Sequence, residues 1–294
     1  MDSFLVYNLS KERNHFTDST NASRTFLMNL NQLNWSDALL HTFDIRKSIL
    51  PSIKSSIHDF GTLNIDELSH VQIKVLIGDQ QSAMFGLGLI PPELTKISFG
   101  TGIFVLLNTG EEIRSVDGTI STLILQHGNR KIYGVECALE CGGSSLSLFR
   151  KLGFEEGYQQ MVNNKLRMEE EPGSGVYIGP FFNGIMSPYW SLQQKQWLVG
   201  LDFSTKQRDV YKALLESFVF RLAQNFALLG NGSNKLVVDG GIAQSTYLLQ
   251  LLDMLVGDVY INRHSHEGTA RGVAFLSGIA NGWFDFNFYQ KLKS

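Results

Sequence analysis

Cysteine and proline are scarce in this sequence, and each scarcity excludes a class of protein. Only two of the 294 residues are cysteines, Cys137 and Cys141, and only six are prolines, against 28 glycines. Two thiols cannot build a disulfide framework, so we expect a reducing compartment and two buried structural thiols. Many glycines and few prolines favour tight glycine turns over proline-rich linkers.

Charge of one sign is also lacking, and so is any long apolar run. Charged residues make up 18% of the chain, the formal net charge is −3 and the pI is about 6.2. Nucleic-acid-binding proteins usually carry a basic patch or stripe, so we expect no nucleic-acid partner. No stretch reaches the roughly 20 apolar residues of a membrane-spanning helix, and we find no export signal. These features predict a soluble, cytoplasmic protein without a membrane span.

Several familiar site motifs are absent as well. The sequence contains no GxxxxGK[ST] loop, no GxGxxG turn and no GxSxG elbow. The segment HSHE at 264–267 has two histidines and an acid without a third ligand nearby, and we interpret it as a solvated loop. We therefore assign no metal ligand from the sequence.

Strand-like and helix-like stretches are mixed along the whole chain, which predicts an α/β protein. The run VQIKVLI at 71–77 predicts a strand, and KISF and IFVLLN predict a hairpin around Gly100-Thr101-Gly102. Apolar residues at near-helical spacing over 209–229 predict the longest helix. The stretch EEEPGSG at 169–175 is typical of a loop.

The first turn that points to chemistry is Gly78-Asp79-Gln80-Gln81, which follows the predicted strand. Ligands of α/β sheets usually bind at the carboxyl ends of strands. A carboxylate there could accept a proton from a hydroxyl nucleophile. The alternative is that Asp79 only caps a helix that starts near Ser82.

Two further turns are rich in glycine. Gly100-Thr101-Gly102 would let backbone N–H groups approach an anion and adds a hydroxyl donor, or it is an ordinary hairpin turn. Gly240-Gly241 follows the run Leu-Val-Val-Asp and precedes a predicted helix. That order suits a phosphate or nucleotide, or reflects only a tight connection that requires glycine.

Seven stretches, taken in order, resemble the glycerol kinase branch of the FGGY carbohydrate kinase family. They are TDSTNASRT, GDQQSAMFG, FGTGIFVLLNTGE, VYIGPFFNGIMSPYW, VYKALLES, VDGGIAQS and GTARGVAFLSGIANGWF. One short motif would mean little, but seven in register over nearly the whole chain are specific. The resemblance implies an actin-like, ribonuclease H-like ATPase fold. It also implies an incomplete N-terminal domain at 1–90 and a near-complete C-terminal domain at 91–294.

The resemblance also implies an activity, which is transfer of the γ-phosphoryl group of ATP, used with Mg²⁺, to glycerol or another polyol. By position, Asp79 is the expected base, and Asp79, Gln80 and Phe104 are the expected substrate contacts. The expected ATP contacts are Gly100, Thr101, Gly102, Gly143, Gly240 and Gly241. The resemblance is also compatible with assembly into a homo-oligomer.

Departures from the family pattern keep other functions open. The family's Asp-x-Gly-Thr hairpin and Arg-Glu pair are not found, and residue 1 matches a position late in the family's first domain. Serines replace the usual Gln, Asp and Asn at Ser147, Ser191 and Ser245, and Arg271 replaces an apolar residue. We therefore expect low activity from this chain alone. The alternatives are a non-catalytic nucleotide-binding or interaction protein with the same fold, and a kinase for another sugar.

Overall fold

The computed structural model describes seven segments of the chain, which are 1–88, 91–139, 141–168, 175–230, 236–257, 259–261 and 267–288. The loop predicted at 169–175 lies outside these segments except for Gly175, and so does HSHE except for Glu267. Within the described segments, no helix is long and apolar enough to cross a membrane.

The first 54 residues form short elements around a small apolar cluster. In chain order these are α1 (Asp2–Leu9), β1 (Phe16–Asp18), α2 (Ser19–Ser23), β2 (Met28–Asn29), β3 (Asn34–Trp35), α3 (Asp37–Thr42) and β4 (Ser52–Lys54). β1 pairs in parallel with β4, and β2 pairs antiparallel with β3. Trp35 and Leu40 are among the buried residues that hold these elements together.

The strand predicted at 71–77 is wrong. This segment makes only isolated bridges, among them Val75 with Ile57. The His58 N–H donates to the Lys74 carbonyl at 3.1 Å, whereas the Phe60 N–H donates to the Ile73 carbonyl at 2.9 Å. Two steps along one segment thus match one step along the other, and such a bulge interrupts a regular ladder. The alternating pattern indicated a half-buried face but not this register.

The larger part of the molecule is built on one mixed sheet. Its elements and neighbours are α4 (Asp79–Gly86), β5 (Thr95–Phe99), β6 (Ile103–Gly110), β7 (Ile120–His127), β8 (Arg130–Leu139), α5 (Gly143–Lys151), α6 (Glu155–Val162), β9 (Tyr177–Gly179), β10 (Trp197–Val199), α7 (Gln207–Leu229), β11 (Leu236–Gly240), α8 (Thr246–Leu255), β12 (Val259–Ile261) and α9 (Gly268–Ala280). Six strands form the sheet in the order β12-β11-β5-β6-β8-β7. β11 runs parallel to β5 and β12, and the other neighbours are antiparallel.

Helices cover both faces of this sheet, which confirms the predicted α/β class. One face contributes Ile97, Phe99 and Val238 to a large core with α7 and α8. The other face contributes Leu106 to a second core with residues of α4 and α9. The predicted hairpin is confirmed by the pairing of β5 with β6, and the predicted long helix by α7. Both cysteines are buried, and burial raises the pKa of Cys137 to about 11.

Candidate functional site

A row of polar side chains interrupts the sheet face that α4 covers. Residues alternate between the two faces of a strand, so Lys96 and Ser98 lie opposite to the core residues Ile97 and Phe99. In register, Asp239 of β11 pairs with Ser98. The polar row therefore crosses at least two adjacent strands.

The same face carries Phe104 and Glu136. Ser98 pairs with Phe104 on β6. Glu136 of β8 pairs with Leu106, which in turn pairs with Lys96. Because paired residues share a face, Phe104 and Glu136 lie on the face that carries Lys96.

Helix α4 begins against this polar face at Asp79, three residues earlier than expected. Gly78 is its N-cap, and the Asp79 Oδ1 accepts the Gln80 backbone N–H at 2.7 Å. The Gln80 Oε1 accepts a hydrogen bond from the Lys96 Nζ at 2.6 Å, and from the Ser98 Oγ at 3.4 Å. The first turn of α4 is therefore fastened to β5.

Close packing of α4 against α9 fixes the position of that turn. A Cβ on Gly86 would lie 1.8 Å from the Gly268 carbonyl oxygen, and one on Gly272 would lie 1.9 Å from the Ser82 carbonyl oxygen. The Ser82 Oγ donates to the Thr269 carbonyl at 2.7 Å. Only glycine allows two helix backbones to approach this closely.

A cavity of about 740 Å³ opens where β5 and β11 end. Five of the predicted site residues line it, namely Asp79, Gln80, Gly100, Gly240 and Gly241. Its volume is that of a typical small-molecule site. The structure thus brings together the acidic turn and one residue or more from each glycine-rich turn.

A second cavity, of about 670 Å³, lies on the other side of Asp79 and Gln80. Phe104 lines it, together with Arg24 and Glu136, whose Nη2 and Oε1 atoms form an ion pair at 2.7 Å. The three predicted substrate contacts therefore meet at this cavity. Asp79 and Gln80 line both cavities, so they form the wall between them.

Three predicted ATP contacts, Thr101, Gly102 and Gly143, line neither of these two cavities. They lie where the β5–β6 turn meets the start of α5. The Gly143 N–H donates to the Gly100 carbonyl at 2.8 Å, and the Ser144 N–H donates to the Thr101 carbonyl at 3.2 Å. Their roles at the nucleotide stay predictions.

Sequence reasoning assigned no role to Lys96, Asp239, Arg24 or Glu136. Lys96 and Asp239 line the first cavity, and Arg24 and Glu136 line the second. Burial lowers the pKa of Lys96, and the charges of Asp239, Asp79 and Glu136 act in the opposite direction. One signal was available, since a lysine inside the run Thr-Lys-Ile-Ser-Phe is unusual for a buried strand.

The first cavity has space and carboxylates that fit a nucleotide with Mg²⁺. A Cβ on Gly241 would meet no protein atom within 4 Å, so this turn is open to a ligand. Asp79 and Asp239 supply two carboxylates. Mg²⁺ usually binds one or two carboxylates plus phosphate oxygens and water. Within the described residues, no group of three or more His, Cys, Asp or Glu side chains could hold a metal. Phosphate oxygens and water would therefore supply most of the ligands of a bound Mg²⁺.

Comparison with solved structures defines the class of protein. The chain superimposes on Plasmodium falciparum glycerol kinase with ADP with a TM-score of 0.88 and 28% identity, covering 99% of this chain and 60% of that one. A ligand-bound xylulose kinase from Lactobacillus acidophilus gives a TM-score of 0.82 at 18% identity, covering 99% of this chain and 60% of that one, and so shares the fold. The fold is therefore the actin-like ATPase fold of sugar kinases, as the sequence predicted.

Sequence comparison then gives the family. Models of the N-terminal and C-terminal domains of the FGGY family of carbohydrate kinases match residues 1–86 and 95–281. The chain belongs to the FGGY family of carbohydrate kinases, and the resemblance to its glycerol kinase branch is confirmed. The glycerol kinases of Coxiella burnetii and Malacoplasma penetrans are 36% and 35% identical over 97% and 99% of this chain. The chain spans 58% and 60% of the length of these two relatives. The domain division at residue 90 stays a prediction.

Proposed function

We propose that the chain is an ATP-dependent kinase that phosphorylates a polyol hydroxyl, with glycerol as the substrate. The observation that carries this proposal is that Asp79 and Gln80 form the wall between two cavities. The glycine turns line the cavity on one side, which suits a nucleotide. Phe104, Arg24 and Glu136 line the other, where an apolar ring and polar groups suit a small polyol.

In this proposal, Asp79 takes the proton of the attacking hydroxyl. The hydroxyl oxygen forms a bond to the γ-phosphorus of ATP, the bond between that phosphorus and the β–γ bridging oxygen breaks, and ADP leaves. Phosphoryl transfer depends mainly on positioning and charge stabilisation, so one base and well-placed donors are a sufficient protein contribution. Bound Mg²⁺ would neutralise the developing charge on the phosphates. Asp239, which lines the same cavity, is the carboxylate that would hold it.

A second candidate is a non-catalytic protein with the same fold, which binds nucleotide or acts as an interaction protein without turnover. Two observations favour it. Thr101, Gly102 and Gly143 lie outside the lining of the first cavity. Ser147, which replaces the usual Gln, lines a separate surface groove with Arg150 and Tyr158.

The test compares two aspartates that each begin a helix, Asp79 of α4 and Asp37 of α3. Formation of glycerol 3-phosphate from ATP, Mg²⁺ and glycerol is followed for the chain, for Asp79→Asn and for Asp37→Asn. Loss of a general base typically costs about 10²–10⁴-fold in rate, and we expect that loss only for Asp79→Asn. The ATP dissociation constant should stay within about twofold, because the change keeps the shape of the side chain.

Three other outcomes would contradict the proposal in different ways. ATP binding without phosphorylation of any polyol or sugar would favour the second candidate. Phosphorylation of a pentulose but not of glycerol would identify a kinase for another sugar. Equal rates for Asp79→Asn and the unmodified chain would remove Asp79 as the base.

A further inference from the structure

Lys96 is a cation buried in an otherwise apolar strand. Its side chain is 2% exposed, and its neighbours Thr95 and Ile97 are buried as well. Transfer of an ammonium group from water into a protein interior is unfavourable unless charges or hydrogen bonds compensate it. An unbranched apolar side chain would pack here without the cost of burying a charge. The presence of the Lys96 ammonium group therefore needs an explanation other than packing.

The described contact of that ammonium group is with Gln80. The Lys96 Nζ donates to the Gln80 Oε1 at 2.6 Å, which is short for a nitrogen-to-oxygen hydrogen bond and typical of a charged donor. Over the described residues, Lys96 forms no ion pair within 4.0 Å. The carboxylates of Asp79, Asp239 and Glu136 are close enough to interact with its charge without touching it.

This contact decides which way the Gln80 amide points. A glutamine amide has one acceptor end and one donor end. An ammonium group has three donors and no acceptor, so only the oxygen of Gln80 can face Lys96. The Gln80 NH₂ group is then left for the cavities that Gln80 lines.

We propose that Lys96 is a positioning residue, which holds Gln80 so that its amide N–H groups face a hydroxyl oxygen of the polyol. This inference rests on the proposed function, in which Gln80 contacts the polyol. With Lys96 in place, Gln80 donates to a hydroxyl oxygen of the substrate. Without Lys96, the amide can reverse and present an acceptor, and the affinity for the polyol falls.

A double-mutant cycle tests this proposal. Glycerol affinity is measured by calorimetry in the presence of ADP and Mg²⁺ for the chain, Lys96→Met, Gln80→Ala and the double variant. We expect Lys96→Met to weaken glycerol binding about 10-fold, because a hydrogen bond from a charged group is lost or misdirected. In the Gln80→Ala background, the same change should have no further effect, since residues that act through one contact are not additive.

The chain offers a matched control in Lys74. Its Nζ also donates to an amide oxygen, that of Asn281 at 3.0 Å, and Lys74 lines neither cavity. Lys74→Met should leave glycerol affinity unchanged. The thermal midpoint gives the structural readout. Lys96→Met should lower it only slightly, because within the described residues Lys96 forms no ion pair and only its hydrogen bond to Gln80 is lost.

Each contrary result has its own meaning. Unchanged glycerol affinity in Lys96→Met, or an equal loss in the Gln80→Ala background, would overturn the positioning role while the proposed function stands. A strongly lowered midpoint with parallel losses of ADP and glycerol affinity would show that Lys96 is merely structural. A chain that binds ADP but neither binds nor phosphorylates glycerol would overturn the proposed function, and this inference with it.

Discussion

The two faces of the central sheet are made by adjacent residues of the same strands, and they differ in kind. In β5, Ile97 and Phe99 pack into the core under α7 and α8. Lys96 and Ser98 alternate with these two residues along the strand, point to the opposite face and reach Gln80. A displacement of one residue along the strand thus separates side chains of the core from side chains that line the candidate site.

This difference shows which face of the sheet tolerates polar side chains. The core with α7 and α8 is the larger of the two clusters of buried residues and includes Tyr211 and Phe218. The opposite face holds a smaller core, with Met84 and Leu276, and leaves its polar row to the cavities. Buried apolar area stabilises at roughly 25 cal/mol per Å², and this offsets the cost of desolvating the polar row.

The largest expected effect on stability is at Phe218, which is fully buried on α7. Phe218→Ala should lower the free energy of unfolding by about 3–5 kcal/mol, since it leaves a cavity in the larger core. Chemical denaturation measures this change. Phe220→Ala is the control on the same helix, because Phe220 is 54% exposed and its loss should cost little.

That result would support a difference in role between the two faces only if Phe218→Ala leaves ADP binding unchanged. The folded fraction of Phe218→Ala at low temperature should bind ADP as the unmodified chain does, because Phe218 lines neither cavity. A selective loss of ADP affinity in the folded protein would mean that the two faces are not independent.

The next effect concerns the helix pair that covers the polar face. In Gly86→Ala, the new methyl carbon would lie 1.8 Å from the Gly268 carbonyl oxygen. The helices must move apart, so we expect the free energy of unfolding to fall by about 1–3 kcal/mol. Because Asp79 begins α4, this shift should also weaken ADP binding. Denaturation and ADP titration measure the two effects together.

Gly268→Ala is the control from the other side of the same contact. Its Cβ would have neighbours at 3.6 Å and beyond, which is ordinary van der Waals contact. It should leave both stability and binding close to those of the unmodified chain. Equal losses in the two variants would show that the short backbone approach is not what positions α4.

The sequence was most informative where local rules decide the structure. The glycines at 100 and 102 between two β-rich runs predicted the hairpin, and the apolar period predicted α7. It was wrong where the structure depends on how one segment pairs with another. The segment 71–77 has a strand-like pattern, but its bonds to 57–63 slip by one residue and prevent a ladder.

The candidate site shows the same limit. Asp79, Gln80 and the Gly240-Gly241 turn came from local patterns, and the structure brings them to one cavity. Lys96 and Asp239 reach that cavity because β5 and β11 are neighbours in the sheet, although 143 positions separate these two residues in the chain (239 − 96). No local pattern predicts that pairing, so their meeting was visible only in three dimensions.

The smallest effect is expected at the turn where the two faces end, and it separates a glycine required by the fold from one that a ligand requires. Gly240 has a φ of +100°, and a Cβ there would lie 2.2 Å from the Phe99 carbonyl oxygen. Gly240→Ala should therefore destabilise the protein. Gly241 has no such constraint, because a Cβ there would meet no protein atom within 4 Å.

Gly241→Ala should keep the thermal midpoint of the unmodified chain and weaken ADP binding about fivefold to tenfold, which is roughly 1–1.4 kcal/mol. The reason is that the added methyl group occupies space that only the nucleotide needs. Titration of ADP with Mg²⁺ measures it, and Gly240→Ala shows what a loss through destabilisation looks like. Unchanged ADP affinity in a folded Gly241→Ala would mean that the nucleotide does not approach this turn. The polar face would then serve the polyol side alone.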